Sequence, residues 1–209
     1  MVRYLFRFGL LFYPALFFGY IKNHKMKKNF AAIFCLLSLF SLAQQQPTEL
    51  DKSPMDMSYS PPNYPILKMN GKITEQPVAR VIYSRPQKTG RVIFGGVVTY
   101  NQVWRLGANE ATEIEFFKNV KINGKTLAKG RYSLYAICTE TKWTIIFNTE
   151  KDIWGLAYNQ KKDALRVDTP VQNIDTIVEA FTMYFEDMNG GTKLNILWDK
   201  VKVALPINF

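Results

Sequence analysis

From Ile66 onward the apolar residues of this chain recur at every second position, and that rhythm limits the fold more than anything else in it. Val78, Arg80 and Ile82 alternate with Ala79, Val81 and Tyr83. Ile114 and Phe116 alternate with Glu113 and Glu115, and Tyr132, Leu134, Ala136 and Cys138 with Arg131, Ser133, Tyr135 and Ile137. Trp143/Ile145/Phe147, Phe181/Met183/Phe185, Leu194/Ile196/Trp198 and Val201/Val203/Leu205 repeat the pattern. Successive side chains of a strand point to opposite faces, so period two is the mark of half-buried strands. Asn123-Gly124 between two short runs predicts a type I′ hairpin, whose two turn positions both need positive φ. Further turns are expected at Lys129-Gly130, at residues 139–142 and at Asn189-Gly190-Gly191. No segment carries an amphipathic helix of three turns. About nine to ten strands at hairpin spacing predict an all-β fold, an antiparallel two-sheet sandwich or jelly roll, with a closed barrel as the alternative.

The amino-terminal quarter reads differently. Met26-Lys27-Lys28-Asn29 precedes an apolar run over residues 30–42, which ends in Ser41-Leu42-Ala43. A basic start, a short apolar stretch and small residues before the cut describe a secretory signal peptide. Cleavage is expected after Ala43, with Met26 as the start and residues 1–25 as an upstream extension. A membrane hairpin of residues 8–21 and 30–43 is the competing reading, but each run is about 14 residues against the roughly 20 needed to span a bilayer. The expected location is extracytoplasmic, periplasmic or secreted, with no span in the mature chain. Residues 44–65 hold five of the chain's ten prolines and read as a flexible tether, leaving residues 66–209 as a single β domain.

The same segment distorts the charge balance. Six of the 27 basic residues, none of the 17 acidic ones, the only histidine (His24) and one of the two cysteines (Cys35) fall in the first 43 residues. The remainder has a net charge near +4, no histidine and only Cys138. Ser-His-Asp and Cys-His catalysis and His-ligated zinc are therefore excluded there. One cysteine makes no internal disulfide, and Cys138 reads as an inert core residue. No basic run interleaved with aromatics suggests nucleic acid. Nothing implies a cofactor or a metal, since no Asp-x-Asp-x-Asp calcium loop occurs.

Tyr83-Ser84-Arg85-Pro86, Gly90-Arg91-x-Ile93-Phe94-Gly95-Gly96, Tyr100 and the string Val103 to Thr112 carry a resemblance. So do Lys125-x-Leu127, Gly130-x-Tyr132, Trp143-Thr144 and Trp154-Gly155. Together they resemble an exported bacterial family, the domain of unknown function 2911, over about residues 61–209. The resemblance implies export and a single domain, and it brings no activity, cofactor or catalytic residue.

Trp104-Arg105-Leu106-Gly107-Ala108-Asn109-Glu110 packs an indole, a guanidinium, an amide and a carboxylate into one short stretch. Arg105 suits a carboxylate or phosphate, Asn109 and Glu110 suit hydroxyls or amides, and Trp104 offers a face for a pyranose. Arg85, at a strand end before Pro86, borders a pocket or caps an edge. The expected function is binding of a small polar ligand, saccharide-like or anionic, through Arg85, Trp104, Arg105, Asn109 and Glu110, with Arg85, Arg105 and Glu110 converging at one end of the sandwich. The alternatives are a hydrolase using Glu110 with a second acid, and a structural envelope protein in which these residues form a buried network. Glu113, Glu115, Asp168, Glu186 and Asp199 are the other acids considered. Lys88-x-Gly90-Arg91 and Gly95-Gly96 read as a turn and a bulge rather than a phosphate cradle. Trp154 and Tyr158 read either as loop aromatics or as core plugs.

Overall fold

The computed structural model describes residues 49–209. The leader expected over residues 1–43, with its start and cleavage positions, lies outside the described residues. Ten strands and one short helix follow one another as β1 (Met55–Ser60), α1 (Tyr64–Met69), β2 (Ala79–Ser84), β3 (Val103–Trp104), β4 (Thr112–Phe116) and β5 (Val120–Ile122). They continue as β6 (Lys125–Leu127), β7 (Gly130–Cys138), β8 (Lys142–Asn148), β9 (Asp163–Met188) and β10 (Gly191–Asn208). The spatial order is β1-β2-β4-β7-β8-β9-β10-β5-β6, with β3 laid on β7, and every pairing is antiparallel.

The 26-residue strand β9 makes this an open sandwich. Its first third pairs with β8, and from Val171 onward it pairs with β10, so one strand passes from one layer into the other. Register shifts at Asp199 and Val201 relieve the twist that so long a ribbon accumulates. A bridge between Gln87 and Ala180 ties the segment after β2 across to β9.

The alternating residues fill the space between the layers. Ala79, Val81, Tyr83, Ile114, Phe116, Leu134, Trp143, Ile145 and Phe147 meet Phe181, Met183, Leu194, Ile196, Trp198, Val203 and Leu205 in a single buried cluster. Each large side chain so buried stabilises the fold by roughly 1.5–3 kcal/mol before entropic losses. β7 and β8 depart from strict alternation. Tyr135 and Ile146 are buried on the opposite face as well, under Ala111, Ile153 and Tyr158. The Asn-Gly turn forms as expected: Ile122 pairs with Lys125, and Asn123 and Gly124 take φ of 49° and 74°.

The proline-rich tether needs correction. β1 lies inside it, paired with all of β2 from Met55↔Ser84 to Ser60↔Ala79. The prolines bracket this strand instead of interrupting it, with Pro54 before and Pro61 and Pro62 after, so every residue between them keeps its N–H. Among the described residues, regular structure begins at Met55, eleven residues before Ile66.

Candidate functional site

β3 sets the start of the Trp104–Thr112 segment beside the C-terminal end of β7, pairing Trp104 with Ala136. The Trp104 ring stacks on Trp198 at 5.9 Å and 18°, and meets Phe181 at 5.1 Å and Trp143 at 5.8 Å. Its indole N–H donates to the Gly107 carbonyl at 3.2 Å. One face of Trp104 is therefore committed to the core.

The chain then turns through three positive-φ residues, Leu106 (51°), Gly107 (151°) and Asn109 (60°). For Leu106 that conformation costs about 1–2 kcal/mol, and its complete burial holds it there. A β-carbon at Gly107 would stand 2.7 Å from Ser84 Oγ. That hydroxyl donates to the Ala108 carbonyl and accepts from the Ala108 N–H, both at 2.6 Å. Thr112 Oγ1 donates to the Leu106 carbonyl at 2.5 Å. The loop is thus pinned on both sides, the condition under which local strain persists.

Arg105 leaves this loop with its alkyl stem lying across Gly155. Its Nε is buried without a hydrogen-bond partner, and among the described residues its guanidinium pairs with no carboxylate. It lines a cavity of 230 Å³ with Arg91, Ser53, Val97, Trp104 and Trp198. Arg91 is oriented by main-chain oxygens, donating from Nε to Lys88 at 3.0 Å and from Nη2 to Gln87. Neighbouring Lys88 is neutralised by Asp199 at 2.9 Å. Arg105 and Arg91, neither paired with a carboxylate among the described residues, therefore line one small cavity together with Trp104 and Trp198. Buried polar groups are nearly always hydrogen-bonded, and the Arg105 Nε is one of four unpaired buried side-chain atoms among the described residues.

A second groove, of 260 Å³, lies against Asp51, Ser53, Met55, Asn109, Glu110 and Trp154, and Ser53 belongs to both. Asp51 is fixed by two donors, Asn109 Nδ2 at 2.9 Å and the Ser53 N–H at 2.6 Å. The Asn109 carbonyl accepts from Gly155 N–H at 3.0 Å, and Glu110 bridges Trp154, which joins this loop to the one carrying the tryptophan. Trp154 is 53% exposed. Tyr158 is instead packed on Tyr135 at 4.8 Å, its hydroxyl donating to Asp163 at 2.7 Å.

The loop thus brings Trp104 and Arg105 to one cavity and Asn109 and Glu110 to the adjoining groove. Arg85 does not join them, which corrects the expected convergence. Its Nη1 pairs with Asp56 at 3.0 Å, its Nη2 donates to Thr182 Oγ1 at 2.9 Å, and its Nε donates to the Phe181 carbonyl at 3.2 Å. Arg85 fastens β1 to β9 and acts as an edge clamp. The other acids are also engaged: Glu113 with Arg131, Glu115 with Arg80, and Asp199 with Lys88. Lys142 and Thr144 hold the Asp168 carboxyl below its usual range, and Lys193 and Asn195 do the same for Glu186. Cys138 is fully buried, and burial pushes its thiol up, away from the reactive thiolate.

Sequence reasoning missed Arg91, Gly155, Asp51 and Ser53. The basic, glycine-containing turn was a signal for Arg91, and the Trp-Gly pair was one for Gly155. Asp51 and Ser53 stand in a proline-rich stretch with nothing to mark them.

No curated protein and no solved structure matches the chain. A family match covers residues 65–207, so α1 to β10 fall within it while Asp51, Ser53 and β1 precede it. The chain belongs to the family described as a protein of unknown function, DUF2911.

Proposed function

We propose that this is an exported binding module for a small polar ligand with an anionic group, seated between Arg105 and Arg91. One observation carries the reading: Arg105 pairs with no carboxylate among the described residues and lines a cavity that Arg91 also lines. A guanidinium presents a planar fork matched to carboxylate or phosphate oxygens. A purely structural ion-pair network is disfavoured, because Arg105 pairs with no carboxylate among the described residues. Export rests on the sequence of residues 26–43.

Isothermal titration of acetate, phosphate and glucuronate into the full chain tests the anion site. Binding of at least one, abolished by Arg105→Ala with the melting temperature nearly kept, is the expected result. No binding by any of the three defeats the reading. A hydrolytic role is the second reading, and what favours it is that Asp51 shares the groove of Glu110. Hydrolysis of a glycoside panel, lost in Glu110→Gln, would establish it.

A further inference from the structure

The two cavities share a wall, and their linings differ in kind. One is lined by two arginines, Arg105 and Arg91, beside the stacked indoles of Trp104 and Trp198. The other presents an exposed indole, a fixed carboxylate, an amide and a second carboxylate. We infer that the ligand is an acidic saccharide of at least two units, its carboxylate on Arg105 and Arg91 and its neighbouring pyranose on Trp154. This rests on the anion reading above and adds the chemical class of the remainder of the ligand.

Three features of the groove point to a sugar ring. Trp154 is about half exposed although it is bridged in place through Glu110, so it offers a flat apolar surface at little entropic cost. Asp51 is held by Ser53 and Asn109, leaving carboxylate lone pairs that accept from hydroxyl donors. Asn109 has its amide oxygen, and Glu110 its whole carboxylate, without a recorded partner among the described residues. Fixed acceptors around an aromatic face match a ring with an apolar C–H face and an equatorial belt of hydroxyls. An anion confined to the Arg105 cavity would touch none of these groups. Ser53 lines both, so the two adjoin and suit a ligand of adjacent rings, and linking the two contacts makes the second effectively intramolecular.

The experiment titrates the full chain with glucuronate, with glucuronate linked to a neutral xylose, with the corresponding neutral disaccharide, and with the dipeptide Gly-Ala. The linked acidic disaccharide should bind at least tenfold more tightly than glucuronate. The neutral disaccharide and the dipeptide should bind more weakly than glucuronate. Trp154→Ala should reduce the advantage of the disaccharide over glucuronate, measured in the same variant, to less than about twofold, and Trp154→Phe should keep part of the gain. Arg105→Ala should remove both ligands. If glucuronate binds but the disaccharide gains nothing, or the gain survives Trp154→Ala, the saccharide inference is overturned and the anion site stands. Tighter binding of Gly-Ala than of the disaccharide overturns it in favour of a zwitterionic ligand. If neither acid binds, the anion reading fails and takes the inference with it.

Discussion

Gly155 is the platform on which Arg105 rests. A β-carbon added at residue 155 would stand 2.8 Å from Arg105 Cβ and 2.9 Å from Cγ, and closer still to Cδ. No other residue type lets the arginine stem lie flat there, so the Trp154-Gly155 loop and the Trp104–Glu110 loop position each other. Gly155→Ala must displace the Arg105 side chain from this platform. Overpacking of this kind costs about 1–3 kcal/mol. Calorimetric melting should show that loss, and ligand titration should show weakened anion binding. Unchanged binding would mean that the position of Arg105 is immaterial.

Arg105 and Arg85 should behave oppositely on truncation. Arg105→Ala removes a side chain with no recorded partner, and its stem packing is worth about 1 kcal/mol or less. Arg85→Ala removes three bonds that join β1 to β9. Because Arg85 and Asp56 are 35% and 40% exposed, solvent screening reduces the expected loss to about 1–2 kcal/mol. Urea denaturation of both variants measures the difference. A larger loss for Arg105→Ala than for Arg85→Ala would reverse their assigned roles.

The Asn123-Gly124 turn supplies a local test. Asn123 has φ 49°, a region where a β-branched residue is strained. Asn123→Val should cost about 1–2 kcal/mol, measured as a shift in denaturation midpoint at constant m-value. No shift would indicate that the turn relaxes to another type.

Alkaline pH should unfold the protein through two tyrosines. Burial pushes the hydroxyls of Tyr83 and Tyr135 up to about 12 from the ordinary 10. Between those values the unfolded chain has lost both protons and the native chain keeps them, so stability must fall as pH rises from 10 to 12. Denaturation midpoints followed across that window should decline, and less steeply in Tyr83→Phe. A flat profile would show that neither hydroxyl titrates on unfolding.

Tyr135 also offers a stabilising change. Its hydroxyl is buried without a partner, while its ring packs on Tyr158 at 4.8 Å. Tyr135→Phe keeps the ring and removes the unpaired group, and should stabilise the protein by about 1 kcal/mol. A loss in urea denaturation would reveal a hydrogen bond to solvent or ligand at that position.

Strand content was legible in the sequence because alternation is a relation between neighbours along the chain. Val81 and Tyr83 face the core for the same reason that Arg80 and Ile82 do not, and Asn123-Gly124 needs nothing distant to turn. Cys138 follows Leu134 and Ala136 inward by the same rule. β1 escaped notice because its prolines sit at its ends, and composition averages over ends and middle alike. The length of β9 escaped for a related reason: its alternation is weak between Val171 and Ala180, where the strand leaves one layer for the other and few side chains are buried on either face. The site residues of the Trp104–Glu110 stretch were singled out by their chemistry, but chemistry does not say which way a side chain turns. Arg85 and Arg105 carry the same group; Asp56 and Thr182 claim the first, and Gly155 carries the second into a cavity with Arg91. Those partners come from positions tens of residues away, brought together only by the packing of one layer on the other. Sequence by itself determined most of the strands and the core-facing side of each. Tertiary structure alone decided which arginine was left without a partner, because pairing depends on distances between segments that share no local pattern.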